Sequence, residues 1–427
     1  MATDNPKAVQ TGEASQKLTF FRQGGWMMVA TVGSGVLMFL VQLISQRIAD
    51  NEYSMVLTML QLLNLMTIPT LGLQNIFAQQ TSRAVTDSEK RVVVGTFKAV
   101  MKGAFCLWLA MMFLLLIFRA PFVKGLNISN PTVVWITVTT GLLMLWQPIL
   151  QGMLQGRQNF LWLGWVSVFN GVGRLSFAFA VVFAIHGGAT GIMTGALVGL
   201  ATLVIVAGWQ TRDLWTAPSG PFEGRPWFRR VVPLTLGSGS SQFLFSADLL
   251  FVGHYFHDKA QVAGYGFGMT LARAIVLFTA PLVAVMFPKI VQSAARSQKS
   301  NVMKLTIFGT GLLAVSAAVC LPFALQLGIK MGFLKADYAW VVGPMPLFAW
   351  SMVPLAIGNV FLNNLLARAE FSVVPWLVGI ASGYGITLMY RHDSFQQMVQ
   401  TLALFNVLML SVCAFFTWRG SSAPQHT

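Results

Sequence analysis

Three charged residues lie inside long apolar stretches of the sequence, where a charge is costly. They are Asp248, Arg174 and Arg273. A charge at the centre of a bilayer costs at least about 2.5–3.5 kcal/mol on insertion scales, so it is tolerated where it faces a helix bundle or a water-filled path. An arginine stays charged and can grip phosphate oxygens through two parallel hydrogen bonds. This sparse, mostly cationic set therefore predicts a site for an anion.

Each of the three residues also has a structural interpretation. Arg273 or Arg174 could form an ion pair with Asp248, and this is plausible for Arg273 because its apolar stretch directly follows that of Asp248. One carboxylate cannot fully neutralise two arginines, so at least one positive charge is left over. We therefore interpret Arg273 and Arg174 as candidate ligands for a diphosphate or another anion. Asp248 is the candidate site for a coupling proton or cation.

Small residues and prolines mark further positions in the apolar stretches. Gly237, Ser240, Ser241 and Asp248 recur on one face of a helix, a pattern that close helix packing explains as well as a cavity does. Prolines remove a backbone donor and kink helices, either as hinges between conformations or as static bends. The candidate cavity or hinge positions are Pro69 with Gly72, Pro281 with Pro288, and Pro344, Pro346 and Pro354, besides Gly237 and Ser241.

The apolar stretches themselves predict an all-α polytopic membrane protein. Of the 427 residues, 55% are hydrophobic and 10% are charged, far below the roughly 25% charged residues of soluble domains. Runs of about 20 apolar residues are long enough to cross a bilayer as helices. There are twelve, at about 23–46, 54–78, 101–120, 132–153, 160–185, 189–209, 231–256, 262–288, 305–327, 341–366, 372–390 and 397–418.

The basic residues between these runs predict the orientation in the membrane. With the N-terminus in the cytoplasm, nineteen of the 28 Lys and Arg residues fall on the cytoplasmic side and seven outside. This bias predicts that both termini are cytoplasmic. The net charge of +15 is thus mainly a topology signal, aided by anionic lipid. Because the basic residues are scattered over loops and termini, a nucleic-acid partner is not expected.

The chain divides into two similar halves. Gly33-Ser34-Gly35 follows a basic residue in the first run as Gly237-Ser238-Gly239 does in the seventh, and an arginine follows a proline at similar spacing in the second and eighth. Such an arrangement predicts two six-helix lobes related by a pseudo-two-fold axis along the membrane normal. The predicted parts are a cytoplasmic tail at 1–22, an N-lobe at 23–210, a cytoplasmic linker at 211–230, a C-lobe at 231–418 and a second cytoplasmic tail at 419–427.

Several kinds of chemistry are disfavoured. Cys106, Cys320 and Cys413 lie in apolar runs without metal-like spacing, and the five histidines form no ligand set, so we expect neither a metal nor a cofactor. The Gly-Ser-Gly-Ser motif at 237–240 lacks the lysine of a phosphate loop. The outside loops are short and show no paired carboxylates, which disfavours a membrane glycan polymerase or ligase. We expect a protein that is not an enzyme.

Several motifs resemble the polysaccharide-biosynthesis, O-antigen-type flippases of the multidrug/oligosaccharidyl-lipid/polysaccharide (MOP) exporter superfamily. The similar segments are Ser246-Ala247-Asp248-Leu249-Leu250-Phe251-Val252-Gly253, Ala263-Gly264-Tyr265, Leu271-Ala272-Arg273, Met286-Phe287-Pro288-Lys289, Gly72-Leu73-Gln74 before Arg83, and Asn363-Asn364-Leu365-Leu366-Ala367-Arg368. Span number and loop placement extend the resemblance over the whole chain.

The resemblance implies a MATE-like fold of two lobes around a cationic cavity, with Arg273 and Arg174 as this chain's candidates. It implies that an undecaprenyl-diphosphate-linked oligosaccharide moves from the cytoplasmic to the periplasmic leaflet of a bacterial inner membrane, by alternating access. Partners would be that lipid-linked glycan, the bilayer, and a glycan polymerase or glycosyltransferases of the same pathway. The alternatives are a cation-coupled multidrug exporter of the same superfamily and, from another class, a membrane glycan polymerase or ligase.

Overall fold

The computed structural model describes residues 6–45, 48, 50–118, 131–184, 187–256, 259–295, 302–331 and 340–422. Side chains at 6–21 and at some further helix positions, Pro69 among them, lie outside the described set. The described residues form thirteen α-helices, a 3-10 segment at 340–342 and a 3-10 helix at Phe371–Val373. The α-helices are α1 Pro6–Ser45, α2 Asp50–Arg83, α3 Asp87–Ile117, α4 Pro131–Gly156, α5 Phe160–Ala184, α6 Gly188–Gln210, α7 Asp213–Thr216, α8 Gly224–Tyr255, α9 Lys259–Ala295, α10 Val302–Lys330, α11 Met345–Ala367, α12 Val374–Tyr390 and α13 Phe395–Ser422.

The prediction of an all-α membrane protein is confirmed. Every predicted apolar run coincides with a long helix, and most helices extend past the run into polar residues at one or both ends. Nine of the described helices are long and apolar enough to cross a membrane: α3 to α6 and α9 to α13. Large apolar side chains also stay exposed in the middle of these helices, such as Phe308 and Phe323 on α10. Such a surface suits lipid, where apolar exposure carries no penalty.

Two of the predicted proline kinks are instead helix-start residues. The helix α11 begins at Met345, with Pro344 as its N-cap and Pro346 in its first turn. A proline is favoured there because the first backbone N–H groups have no partner inside the helix. Pro354 in α11 and Pro281 and Pro288 in α9 do lie inside continuous helices.

The chain separates into two compact units. One comprises Gly25–Val231, and the other Val232–Thr427 together with Met1–Gly24. The helices α2 to α7 belong to the first unit and α9 to α13 to the second, whereas α1 and α8 continue across a unit boundary. The relation of the two halves by a pseudo-two-fold axis stays a prediction.

Glycines set the packing of α5 against α6 in the first unit. Gly191, Gly195 and Gly199 recur every fourth residue along α6 and are buried. A Cβ atom at Gly195 would lie 2.7 Å from the carbonyl oxygen of Arg174, and one at Gly199 would lie 2.5 Å from that of Asn170. The two backbones therefore approach each other closely, as small residues at this spacing allow in membrane helices.

The segment that follows α6 is docked on the first unit. Gly220 donates its N–H to the carbonyl oxygen of Arg91 at 2.8 Å, and a Cβ atom on Gly95 would lie 2.0 Å from the carbonyl oxygen of Gly220. The Arg157 guanidinium donates to both carboxylate oxygens of Asp213, at 2.9 and 2.7 Å, and holds the pKa of that carboxyl below its usual value. This part of the predicted linker is thus ordered structure rather than a tether.

In the second unit, α11 is the central helix. It packs against α9, α10 and α13, and most of its residues are buried. A buried polar side chain of a neighbouring helix bonds to its backbone: Asn406 of α13 donates its side-chain N–H to the carbonyl oxygen of Ser351 at 2.8 Å. The buried helix α11 thus packs against α9, which carries Arg273.

Candidate functional site

The stripe predicted on the seventh apolar run lies on the buried face of α8. Ser240, Ser241, Ala247 and Asp248 are all buried, whereas Gln242 and Leu250 on the other side of the helix are exposed. The spacing of these positions brings them to one face of a 3.6-residue helix. The sequence of α8 therefore places the carboxylate of Asp248 inside the second unit and away from its outer surface.

Asp248 is bonded through both carboxylate oxygens. The Nη2 atom of Arg273 donates to Oδ1, and the hydroxyl of Tyr265 donates to Oδ2 at 2.9 Å. Asp248 is 0% exposed and Arg273 is 8% exposed. Two helices build this cluster, since Asp248 belongs to α8 and both partners belong to α9. Tyr265 and Arg273 are eight residues apart on α9, which places them on the same helix face two turns apart.

Aromatic rings hold the cluster in place. Tyr265 is in edge contact with Phe348 of α11 and stacks on Phe395 of α13, both at 5.3 Å between ring centroids. The guanidinium of Arg273 lies 5.4 Å from the ring centroid of Phe245, within the range of a cation–π interaction. The Nε atom of Arg273 is buried and has no hydrogen-bond partner among the described residues. Arg273 therefore binds Asp248 with one of the two donors on that edge of its guanidinium.

The other stripe positions pack α8 against α11. The hydroxyl of Ser241 donates to the side-chain oxygen of Asn359 at 2.5 Å, and a Cβ atom at Gly237 would lie 3.3 Å from Leu366. These contacts agree with the packing interpretation of the two residues. Gly72 in α2 and Pro281 in α9 are buried within continuous helices. The side chain of Pro69 lies outside the described residues, so the structure gives no further contact for that position.

Arg174 lies on α5, in the first unit, whereas Asp248 belongs to the second unit. Its backbone packs against the glycines of α6, and its side chain is partly buried. The Nε atom of Arg174 and the side-chain oxygen of Asn170, one turn earlier, are both buried without a partner in the described part of the chain. No acidic residue described in the structure lies within salt-bridge distance of Arg174. Its charge is thus not compensated there.

Sequence reasoning missed three polar residues that the structure brings to notice. Tyr265 completes the Asp248 cluster, and the buried hydroxyl of Tyr384 on α12 has no partner among the described residues. The chain has only 6 tyrosines, so Tyr265 near the start of the eighth apolar run and Tyr384 inside the eleventh could have been singled out. Glu52 of α2 accepts the backbone N–H of Ala189 at 2.8 Å and so caps the start of α6. Glu52 precedes the second predicted run, so the sequence pattern gives no signal for its capping role.

The described residues contain no group of three His, Cys, Asp or Glu side chains that could hold a metal ion. The candidate residues are instead notable for their charges. The second unit contains a buried, hydrogen-bonded ion pair, and the first contains a partly buried cation without an acidic partner in the described segments. Such groups can bind anions and exchange protons without covalent chemistry.

Comparison with solved structures identifies the fold. A MOP superfamily transporter from Pyrococcus furiosus aligns over 96% of this chain and 97% of its own, with a TM-score of 0.77 and 12% identity. A eukaryotic MATE transporter aligns over 95% of both chains with a TM-score of 0.77 and 11% identity. A MATE protein in a bent conformation covers 94% of this chain and 95% of its own, with a TM-score of 0.75 and 10% identity. No protein-family model and no curated protein matches the sequence. The expected MATE-like fold is thus confirmed at the level of fold.

Proposed function

We propose that this protein is a membrane transporter that moves an anionic, lipid-linked oligosaccharide across the bilayer by alternating access. The observation that carries the proposal is the excess of positive charge on buried and partly buried arginines in a MATE-like fold. Arg273 has Asp248 as a partner, whereas Arg174 has no acidic partner among the described residues. A cation in a membrane helix is costly unless it is paired or faces a helix bundle or a water-filled cavity, and such residues often mark a substrate site. An anionic substrate would supply the missing charge.

The proposed substrate is an undecaprenyl-diphosphate-linked glycan, as the sequence resemblance to O-antigen-type flippases implies. Its diphosphate suits arginine, whose planar fork matches phosphate oxygens. Movement from the cytoplasmic to the periplasmic leaflet of a bacterial inner membrane is favoured by the membrane potential, since each negative charge gains about 2.3 kcal/mol per 100 mV on leaving the negative side. Glycan polymerases or glycosyltransferases of the same pathway are the proposed partners.

The charge balance favours an anion over the main alternative, a cation-coupled multidrug exporter. A site for a cationic drug needs a free carboxylate, and both oxygens of Asp248 already accept hydrogen bonds. The MOP superfamily transporter from Pyrococcus furiosus is described as having a binding pocket of reversed polarity that suggests a different function. The assignment of an anionic substrate to this chain rests on its own arginines, Arg273 and Arg174.

The proposal is tested by complementation of a flippase-null strain, with the membrane level of each variant measured. We expect Arg273→Ala to abolish glycan export while the protein accumulates, and Arg273→Lys to rescue export partly because a point charge replaces a fork. Arg229→Ala, at an exposed position of α8, is the matched control and should export normally. Full export by Arg273→Ala at normal abundance would remove Arg273 from the site.

A second variant, Arg174→Ala, separates loss of transport from loss of folding. Arg273→Ala leaves the Asp248 carboxylate buried without its cation, which costs about 3–5 kcal/mol when a buried pair is broken. Arg174→Ala orphans no carboxylate in the described structure, so it should accumulate normally and still lower export strongly. Resistance of the same cells to a cationic dye separates the alternatives. Loss of dye resistance with unchanged glycan export in these variants would favour the multidrug exporter.

A further inference from the structure

The Asp248–Arg273 pair has a consequence for how an anion could reach Arg273. As paired, the two side chains carry no net charge, and a diphosphate that approached Arg273 would also meet the negative carboxylate. We propose that the ionised carboxylate of Asp248 prevents the substrate anion from binding Arg273. Protonation of Asp248 releases the guanidinium of Arg273, so proton binding and anion binding at this cluster favour each other. This inference rests on the proposed function, because it concerns the same substrate anion.

The geometry allows another anion to replace Asp248 as the partner of Arg273. An aligned carboxylate can bind two N–H groups of one guanidinium in parallel. Here Tyr265 holds the second carboxylate oxygen, so Asp248 contacts Arg273 through Oδ1 alone. The Nε atom of Arg273 is left without a partner among the described residues. The contact therefore lacks the second hydrogen bond that makes such pairs strongest, and the unused donor adjoins the one that Asp248 occupies.

The surroundings suit both forms of the cluster. A protonated Asp248 still accepts the hydrogen bond of Tyr265, since a carboxylic acid keeps acceptor capacity. Arg273 remains over the ring of Phe245, which supports a cation that has lost its anionic partner. Its Nε and Nη2 atoms then form a free fork for two phosphate oxygens.

Among the described residues, few titratable or charged side chains face the carboxyl of Asp248. Tyr265 and Arg273 approach it from α9, and Tyr384 of α12 interacts with it electrostatically. The α11 and α13 residues that pack on Tyr265 are Phe348 and Phe395, which carry no charge. Among these side chains, the carboxyl is the group that gains a proton on acidification. The expected dependence on pH can therefore be assigned to Asp248 by substitution.

The experiment measures binding of undecaprenyl diphosphate to the purified full-length protein in nanodiscs between about pH 5 and about pH 8. We expect wild-type protein to bind at least about tenfold more tightly at the acidic end. Asp248→Asn, which mimics the protonated form, should bind tightly at both ends. Protonation of the diphosphate itself acts equally on both proteins, so the variant corrects for it.

The double variant Asp248→Asn with Arg273→Gln restores a neutral cluster and controls for folding. It should bind weakly at every pH. If the affinity of Asp248→Asn for undecaprenyl diphosphate depended on pH as that of wild type does, the proposed coupling would be wrong. The proposed function as an anion transporter would not be affected. Absence of binding by all three proteins at every pH would overturn the proposed function itself. Tight binding by the double variant would overturn the role of Arg273.

Discussion

Buried polar atoms in membrane helices are stable when each of them has a partner, and Tyr265 is one of two residues that provide this for Asp248. Its hydroxyl binds Oδ2 at 2.9 Å inside a cluster that excludes solvent. Tyr384 offers a close comparison, since it is also 0% exposed but its hydroxyl has no partner among the described residues. The two tyrosines thus separate the effect of a hydrogen bond from the effect of burying an aromatic ring.

We expect Tyr265→Phe to lower the free energy of unfolding by about 1.5–3 kcal/mol, the range for a hydrogen bond to a charged group. Tyr384→Phe should leave stability unchanged or raise it, because it removes an unpaired buried hydroxyl. Unfolding of the purified proteins in detergent, followed by circular dichroism during a denaturant titration, measures both. Equal losses in the two variants would mean that the ring environment, not the bond to Asp248, decides the stability.

At the scale of helices, the close approach of α5 and α6 fixes the position of Arg174. The carbonyl oxygen of Arg174 lies against Gly195 and its Cβ atom lies against Gly199, so any side chain at those glycines would push the two helices apart. Helix interfaces with this repeat depend on backbone contact, because lipid supplies no hydrophobic drive between apolar helices. The orientation of the arginine therefore depends on glycines in a different helix.

We expect Gly199→Ala to destabilise the protein by about 1–3 kcal/mol, as overpacking of a close contact does, and to reduce transport by moving Arg174. Gly208→Ala is the matched control on the same helix, because a Cβ atom there would meet nothing within 4 Å. That variant should be neutral or gain up to about 1 kcal/mol from helix propensity. Thermal unfolding in detergent compares the two, and similar values for both variants would contradict the close packing.

At the scale of the whole molecule, the orientation of the chain in the membrane is a prediction from the basic residues. Thr86, between α2 and α3, and Asp393, between α12 and α13, are both exposed and lie in loops of opposite predicted side. Positively charged loops stay in the cytoplasm, which places Thr86 inside and Asp393 outside.

The predicted orientation can be tested by labelling single cysteines introduced into a chain in which Cys106, Cys320 and Cys413 are replaced by alanine. Asp393→Cys should react with a membrane-impermeant maleimide on intact spheroplasts, and Thr86→Cys should react only after permeabilisation. Labelling of denatured protein controls for the amount of each variant. Reaction of Thr86→Cys in intact spheroplasts would reverse the topology and the direction of transport that we propose.

The sequence by itself determined where the helices lie and which charges are unusual. Apolar runs and helices coincide because a bilayer requires each spanning segment to satisfy its own backbone hydrogen bonds. The same requirement makes Asp248, Arg174 and Arg273 conspicuous without any coordinates. The prolines were harder to interpret, because Pro344 and Pro346 mark the start of α11 and not a kink within it. Local spacing does not distinguish the first turn of a helix from its interior when both are apolar.

Only the tertiary structure decided which arginine pairs with Asp248 and what completes the cluster. The bond between Asp248 and Arg273 joins residues 25 apart, and it depends on how α8 and α9 are rotated about their axes. Tyr265 likewise depends on α8, which supplies its partner Asp248, and the glycines of α6 depend on α5, whose backbone they contact. Sequence periodicity gives the buried face of one helix. It does not give the partner across the interface, because that partner is selected by packing between segments whose mutual rotation no local pattern specifies.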